Sequence, residues 1–179
     1  TAENVSRKYT VTRQEQDQYA YQSYLKTYKA QKNKYFKNEL IKSDYKDQVR
    51  SDTTLSKLSQ LKAAFKKTGT VTAGNASSLN DGAAFLVLAS SDYIKTNKIK
   101  PLAKVLDWSA SAGNPDFMGV TPITAIQKLM KKMSVKIGFF DLIEINEAFA
   151  ATSVAVQRSL KIDPNKLNIV GGAIALGHP

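Results

Sequence analysis

The apolar and polar positions change period once along the chain. Up to Thr68 the pattern is helical and heavily interrupted by Lys, Gln and Tyr. The tetrad Thr12-Arg13-Gln14-Glu15 has the form of a capping box, in which a Thr hydroxyl and a Glu three residues later satisfy each other's helix-end amides, so a helix is predicted to follow. Within it Tyr21, Tyr24, Leu25 and Tyr28 recur at the i, i+3, i+4, i+7 spacing of one helical stripe, which reads as a face turned to the core or to a groove. Leu55, Leu58, Leu61 and Phe65 predict a second helix over 51–65, and Glu39-Leu40-Ile41-Lys42 a short strand between the two. From Gly69 onward the pattern alternates. The continuous apolar run over 82–90 predicts a strand buried on both faces, and 102–108 the next. Thr121-Pro122 predicts an N-cap followed by Pro at the first helical position, with Ile126, Leu129, Met130 and Met133 as the apolar stripe of a helix ending near Gly138. A strand over 141–145, a helix over 147–160 and a strand over 167–170 then make a βαβ unit with a right-handed crossover.

Composition places this pattern in a globular α/β chain of 179 residues, 42% hydrophobic and 23% charged. The longest apolar run, Ala83 to Ala89, is far short of the roughly 18 residues of a membrane span, so no membrane segment is expected, and a cytoplasmic setting is. Cys is absent and His occurs once. This chain therefore offers no disulfide, no thiolate zinc site, no Cys nucleophile of its own and no metal site. The start, Thr1-Ala2-Glu3-Asn4, has neither Met nor the basic and apolar regions of a signal peptide, and the chain reads as a piece of something longer. The 26 basic residues against 15 acidic give a net charge of +11, of which +8 falls in residues 1–68. All nine Gly and five Pro lie beyond that point, which marks a compositional boundary near Gly69.

Chemistry concentrates at the carboxyl ends of predicted parallel strands, where open α/β sheets place their ligands. Asn146-Glu147-Ala148-Phe149-Ala150 follows strand 141–145, and Gly171-Gly172-Ala173-Ile174-Ala175-Leu176-Gly177-His178-Pro179 follows strand 167–170. Neighbouring strand tips would let Asn146 and His178 face one site although 32 positions separate them. Asn146 has a second reading, as the N-cap of helix 147–160, and His178 a second as an ordinary solvated side chain. The glycines before His178 favour the first reading because they allow close backbone approach, and imidazole suits proton transfer near neutral pH. The loop 69–82, rich in Gly, Ser, Thr and Asn, could present amides and hydroxyls to a ligand or serve as a structural turn. It lacks the Gly-Lys-Ser/Thr of a phosphate-binding P-loop, and no Gly-x-Gly-x-x-Gly occurs.

These three stretches, in this order, resemble the thiolase family of acetyl-CoA acetyltransferases and 3-ketoacyl-CoA thiolases, with weaker similarity at Thr1 to Val5, Gln14 to Asp17 and Met118-Gly119. The resemblance implies an incomplete thiolase-like αβαβα architecture: a CoA-covering loop-domain part over 1–80, the last strand region of the N-terminal half over 81–101, and a truncated C-terminal half over 102–179. It implies that His178 activates a nucleophilic Cys and helps to hold the thioester oxygen, and that Asn146 anchors a water completing the oxyanion hole. Ser77 would bond the pantetheine arm of CoA, walled by Phe65, Leu79, Met118 and Phe149. The acyl-accepting Cys would precede Thr1 and the acid/base Cys would follow Pro179, so the chain alone is expected to be inactive. Ser78 stands where a Gly is usual and Thr152 where a Gln is usual. The resemblance implies acyl-CoA substrates, no resident cofactor, no specific nucleic acid and a homo-oligomeric parent. The rival reading is a basic module for nucleic acid or an acidic partner, suggested by the +8 front segment and its tyrosines.

Overall fold

The computed structural model describes residues 1–40 and 49–179. Seven α-helices occur among them: α1 (Ala2–Lys8), α2 (Arg13–Lys32), α3 (Leu55–Ser59), α4 (Ser91–Thr96), α5 (Thr121–Met133), α6 (Ala150–Leu160) and α7 (Ala173–Leu176). Two 3₁₀ turns, Pro115–Val120 and Ile137–Phe139, precede and follow α5.

The capping box forms as the sequence predicts. Thr12 Oγ1 accepts from the Glu15 amide at 3.2 Å while the Thr12 amide donates to Glu15 Oε2 at 2.8 Å. The helix it starts, α2, buries a different stripe from the tyrosine one. Gln16, Ala20, Ser23, Tyr24, Thr27 and Ala30 face inward, whereas Leu25 and Tyr28 are exposed and Tyr21 half-buried. Small side chains win this face because the backbone of residues 171–172 lies against it. Ser23 Oγ accepts from the Gly172 amide at 3.2 Å.

Two main cores hold the helices together. Val5, Val11, Val120, Val156, Leu160, Ile162 and Leu167 form one around α1 and α6, and Ala20, Tyr24, Leu58, Ala150 and Ile174 form the other between α2, α3 and α7. Ion and carbonyl ties close the seams. Arg158 pairs with Glu15 at 2.6 Å, Lys26 Nζ donates to the Leu167 carbonyl at 2.8 Å, and Arg13 pairs with Asp17 at 2.8 Å while donating to the Leu58 carbonyl at 2.6 Å.

Segments 141–145 and 167–170 meet in parallel around α6, with the Asn168 amide donating to the Ile143 carbonyl at 3.0 Å and Ile143 bridged to Leu167. The pairing is shorter than predicted. At φ +45° Asn168 leaves the strand, and its side chain continues the ladder instead, accepting from the Ile145 amide and donating to the Ile145 carbonyl, both at 2.8 Å.

Other expectations shift. Segments 82–90 and 102–108 carry no strand pairing among the described residues, and their side chains are open to solvent, Phe85 at 93% and Trp108 at 71%. A strand apolar on both faces needs neighbouring strands and covering helices, and no described segment supplies them. The second helix shrinks from 51–65 to Leu55–Ser59. The last long helix begins at Ala150 rather than 147. Thr121 and Pro122 are the first two residues of α5, not its cap, because the 3₁₀ turn runs straight into the helix and Thr121 Oγ1 donates back to the Met118 carbonyl at 2.8 Å. That helix stops at Met133, where Ser134 takes a left-handed φ of 55°. Of the short strand read at 39–42, Glu39 lies in a turn, and residues 41–42 fall outside the described residues.

Candidate active site

The loop 69–82 threads between the two glycine- and asparagine-bearing motifs and joins both by backbone hydrogen bonds. On one side the Ala150 amide donates to the Asn75 carbonyl at 2.9 Å, Ala76 bridges Phe149, and the Ser77 amide and hydroxyl both donate to the Ala148 carbonyl, at 3.0 and 3.2 Å. On the other the His178 amide donates to the Ser78 carbonyl at 2.9 Å and the Asn80 amide to the His178 carbonyl at 3.2 Å. The result is a three-stranded stitch with Ser77, Ala148 and His178 side by side.

Asn146 and His178 meet across it. Asn146 Nδ2 lies 3.2 Å from His178 Nε2. An amide N–H can only donate, so the imidazole accepts through Nε2 and carries its proton on Nδ1. Asn146 is therefore not a helix cap. The N-cap of α6 is Phe149, without a side-chain capping bond. His178 is half-buried and Asn146 exposed, so the pair borders solvent, where a ligand could reach it.

Gly177 makes the approach possible. Its φ of +99° is in the left-handed region, and a Cβ there would collide with the Asn80 side chain.

The apolar residues expected as walls are only partly assembled. Phe65 stands edge-to-face on Phe149, with ring centroids 6.1 Å apart and planes at 76°. Phe65, Leu79 and Met118 are exposed. Met118 sits on the Pro115–Val120 turn, whose Gly119 abuts the Thr152 side chain. The Thr152 hydroxyl donates in turn to the Phe149 carbonyl at 2.8 Å, so the turn reaches the site through one side chain. A groove of about 730 Å³ between α2 and α6 contains none of Ser77, Asn146 or His178.

Behind the pair lies a carboxylate that sequence reasoning passed over. Glu147, 1% exposed, accepts from Tyr19 and Asn168 on Oε1 at 3.1 and 2.9 Å, and from Ser23 and the Ile174 amide on Oε2 at 2.6 and 3.3 Å. Burial and the Glu147 charge both push the Tyr19 phenol up, which keeps it protonated as a donor. Partial desolvation first, and the Glu147 charge second, also raise Glu144, whose side chain is exposed. The available signal was the small-residue stripe Ala20, Ser23, Thr27 on a helix otherwise made mostly of long side chains. Groups of His, Cys, Asp and Glu able to hold a metal are absent among the described residues. No helix among them is long and apolar enough to cross a membrane.

Comparison with known proteins places this geometry in a lineage. Residues 1–92 match the model of the thiolase N-terminal domain and residues 99–179 that of the thiolase C-terminal domain. The basic front segment thus falls inside the first match. A probable acetyl-CoA acyltransferase of Staphylococcus aureus is 46% identical over 192 residues, covering 100% of this chain and 49% of that protein. Among solved structures, human mitochondrial 3-ketoacyl-CoA thiolase in complex with CoA aligns with a TM-score of 0.94 at 42% identity, over 99% of this chain and 47% of that one. Bacillus anthracis acetyl-CoA acetyltransferase aligns at 0.92 and 42%, over 99% and 48%. The chain spans about half the length of the curated relatives it matches. Its architecture is accordingly that of an incomplete α/β thiolase fold. With both family domains matched and the loop, Asn and His motifs converging on one notch, the chain belongs to the thiolase family of acyltransferases.

Proposed function

We propose that this chain carries the His and Asn side of a thiolase active site, in a protein that transfers an acyl group between CoA and a cysteine thiol, either cleaving 3-ketoacyl-CoA or condensing acetyl-CoA. The observation that carries the reading is the 3.2 Å contact between Asn146 Nδ2 and His178 Nε2, held beside Ser77 by the 69–82 loop. An imidazole whose Nε2 is unprotonated can exchange the Asn146 hydrogen bond for the proton of an incoming thiol, and the resulting imidazolium can then donate to a thioester oxygen as charge develops there. Asn146, through a water, supplies the second dipole. CoA is a substrate in this scheme, not a resident cofactor. Its pantetheine arm would bond Ser77 and run along Phe65, Leu79, Met118 and Phe149.

The same proposal reads 1–80 as part of a CoA-covering loop domain, 81–101 as the last strand region of the N-terminal half and 102–179 as the start of the C-terminal half. It also takes acyl-CoA as the partner, with no specific nucleic acid, in a homo-oligomeric cytoplasmic protein. Because the chain has no Cys, both thiols must come from outside it, and alone it should form no acyl-enzyme.

The test is thiolysis of acetoacetyl-CoA. The chain alone should give none above background, and the same chain joined to the flanking segments of the Staphylococcus aureus relative should turn over. Turnover by the purified chain alone, or a folded but inactive chimera, would refute the assignment.

A further inference from the structure

We propose that Glu147 is a positioning residue, a buried carboxylate that sets the Asn146 to His178 geometry by clasping the segments that carry them. The inference deepens the thiolase reading and rests on it for its kinetic arm alone.

The clasp draws on three separate parts of the chain. Tyr19 and Ser23 come from α2, Asn168 from the turn that ends the parallel pairing, and the Ile174 amide from the start of α7. Four donors converge on two oxygens. A carboxylate accepts all four without a hydrogen of its own to place. Burying a charge is costly unless it is paired or hydrogen-bonded, and no cation is among the four donors. An apolar side chain would avoid that cost but could not tie these segments together.

The two site residues hang directly on this clasp. Asn146 is the residue before Glu147, and His178 follows Ile174 by four. Close packing supports the same link. A Cβ on Gly172 would lie 2.7 Å from Glu147 Cδ, and the Gly172 amide donates to the same Ser23 hydroxyl that donates to Glu147. The loop 69–82 holds Ala148 and His178 from one side. Glu147 holds the two segments from the other, and together they fix the distance and the angle between amide and imidazole.

Gln is the informative replacement because it keeps the volume. Its single oxygen can serve two donors, while its amide then faces the others. Ser23 or Tyr19 can turn to accept, but the Ile174 and Asn168 N–H groups cannot.

The experiment uses the longest natural protein that carries this sequence, with Glu147→Gln and, should that variant fail to fold, the milder Ser23→Ala. Two readouts are taken: steady-state kinetics per folded molecule, and the ¹⁵N shift of His178 Nε2, assigned by its loss in His178→Asn. Glu147→Gln should lower kcat by about 10²-fold, the scale of a misplacement near 1 Å, leave KM for CoA within about threefold and move the Nε2 signal. Gln16→Leu is the control for stability alone. Gln16 is fully buried in a network with Ser6, Val11 and Thr70, so it should lower Tm and leave both readouts in place. An unmoved Nε2 signal in folded Glu147→Gln overturns the proposal whatever kcat does, and so does a retained kcat. If the unsubstituted protein shows no acyl transfer, the thiolase reading fails while the shift still decides the positioning role.

Discussion

At the scale of residues, the site depends on which atom of each side chain faces which. His178 Nε2 faces the Asn146 amide and its backbone is bound on both sides by Ser78 and Asn80, so the ring is directed by main-chain contacts that do not need the imidazole. Removing the ring should therefore spare the fold and CoA binding. In an intact enzyme carrying this sequence, His178→Ala is expected to lower kcat by about 10²–10⁴-fold, the usual weight of acid–base groups, with the dissociation constant for CoA changed by no more than about threefold. Calorimetric CoA binding beside steady-state rates checks this, and parallel losses in both would make His178 a structural residue.

At the scale of elements, α2 is where local signals and tertiary packing divide. Its start is fixed by Thr12 and Glu15, and Glu15 also reaches Arg158 on α6. The Thr12 backbone amide first, then the Thr12 hydroxyl and Arg158, hold the Glu15 carboxyl below its ordinary value against a smaller desolvation. A carboxylate lowered on folding contributes stability at pH above its unfolded pKa, and that contribution is lost as pH falls through the folded value. Thr12→Ala should cost about 1 kcal/mol near neutral pH. The deficit should narrow on acidification as Glu15 protonates in both proteins. Denaturant unfolding at neutral and at acidic pH measures it, and a deficit independent of pH would mean that the hydroxyl acts alone.

At the scale of the whole molecule, the helical parts are packed and two apolar segments are not. Phe85, Leu86, Val87 and Leu88, and beyond α4 Leu102, Val105, Leu106 and Trp108, stand in solvent, exposed apolar side chains of the kind that mark an interaction surface when they adjoin. Trp108 is the single tryptophan, with Lys132 over its ring at 5.9 Å. The isolated chain should therefore show the red emission of a solvated indole and bind a hydrophobic dye. In the chimera with flanking thiolase segments the emission should shift to the blue and dye binding should fall. A blue emission from the isolated monomer would show that the chain folds these segments inward by itself.

The sequence alone determined what local interactions decide. The capping box at Thr12, the existence of a helix through Ile126, Leu129 and Met130 though not its cap or its end, the parallel approach of 141–145 to 167–170 and the facing of Asn146 and His178 all follow from spacing, turn chemistry and strand order. The family itself was legible in three short motifs, the loop 69–82 and the stretches around Asn146 and His178. Tertiary structure decided the rest. The buried face of α2 is set by the glycine backbone of 171–172 lying on Ser23 and Thr27, so small polar residues are inside and Leu25 and Tyr28 outside, against the hydrophobic pattern. Segments 82–90 and 102–108 are apolar enough to read as strands but carry no ladder among the described residues, since pairing needs partners that a pattern along one segment does not contain. Glu147 escaped notice for a related reason: a buried carboxylate reads as a surface charge until the four donors around it, drawn from positions 19, 23, 168 and 174, are brought together by the fold.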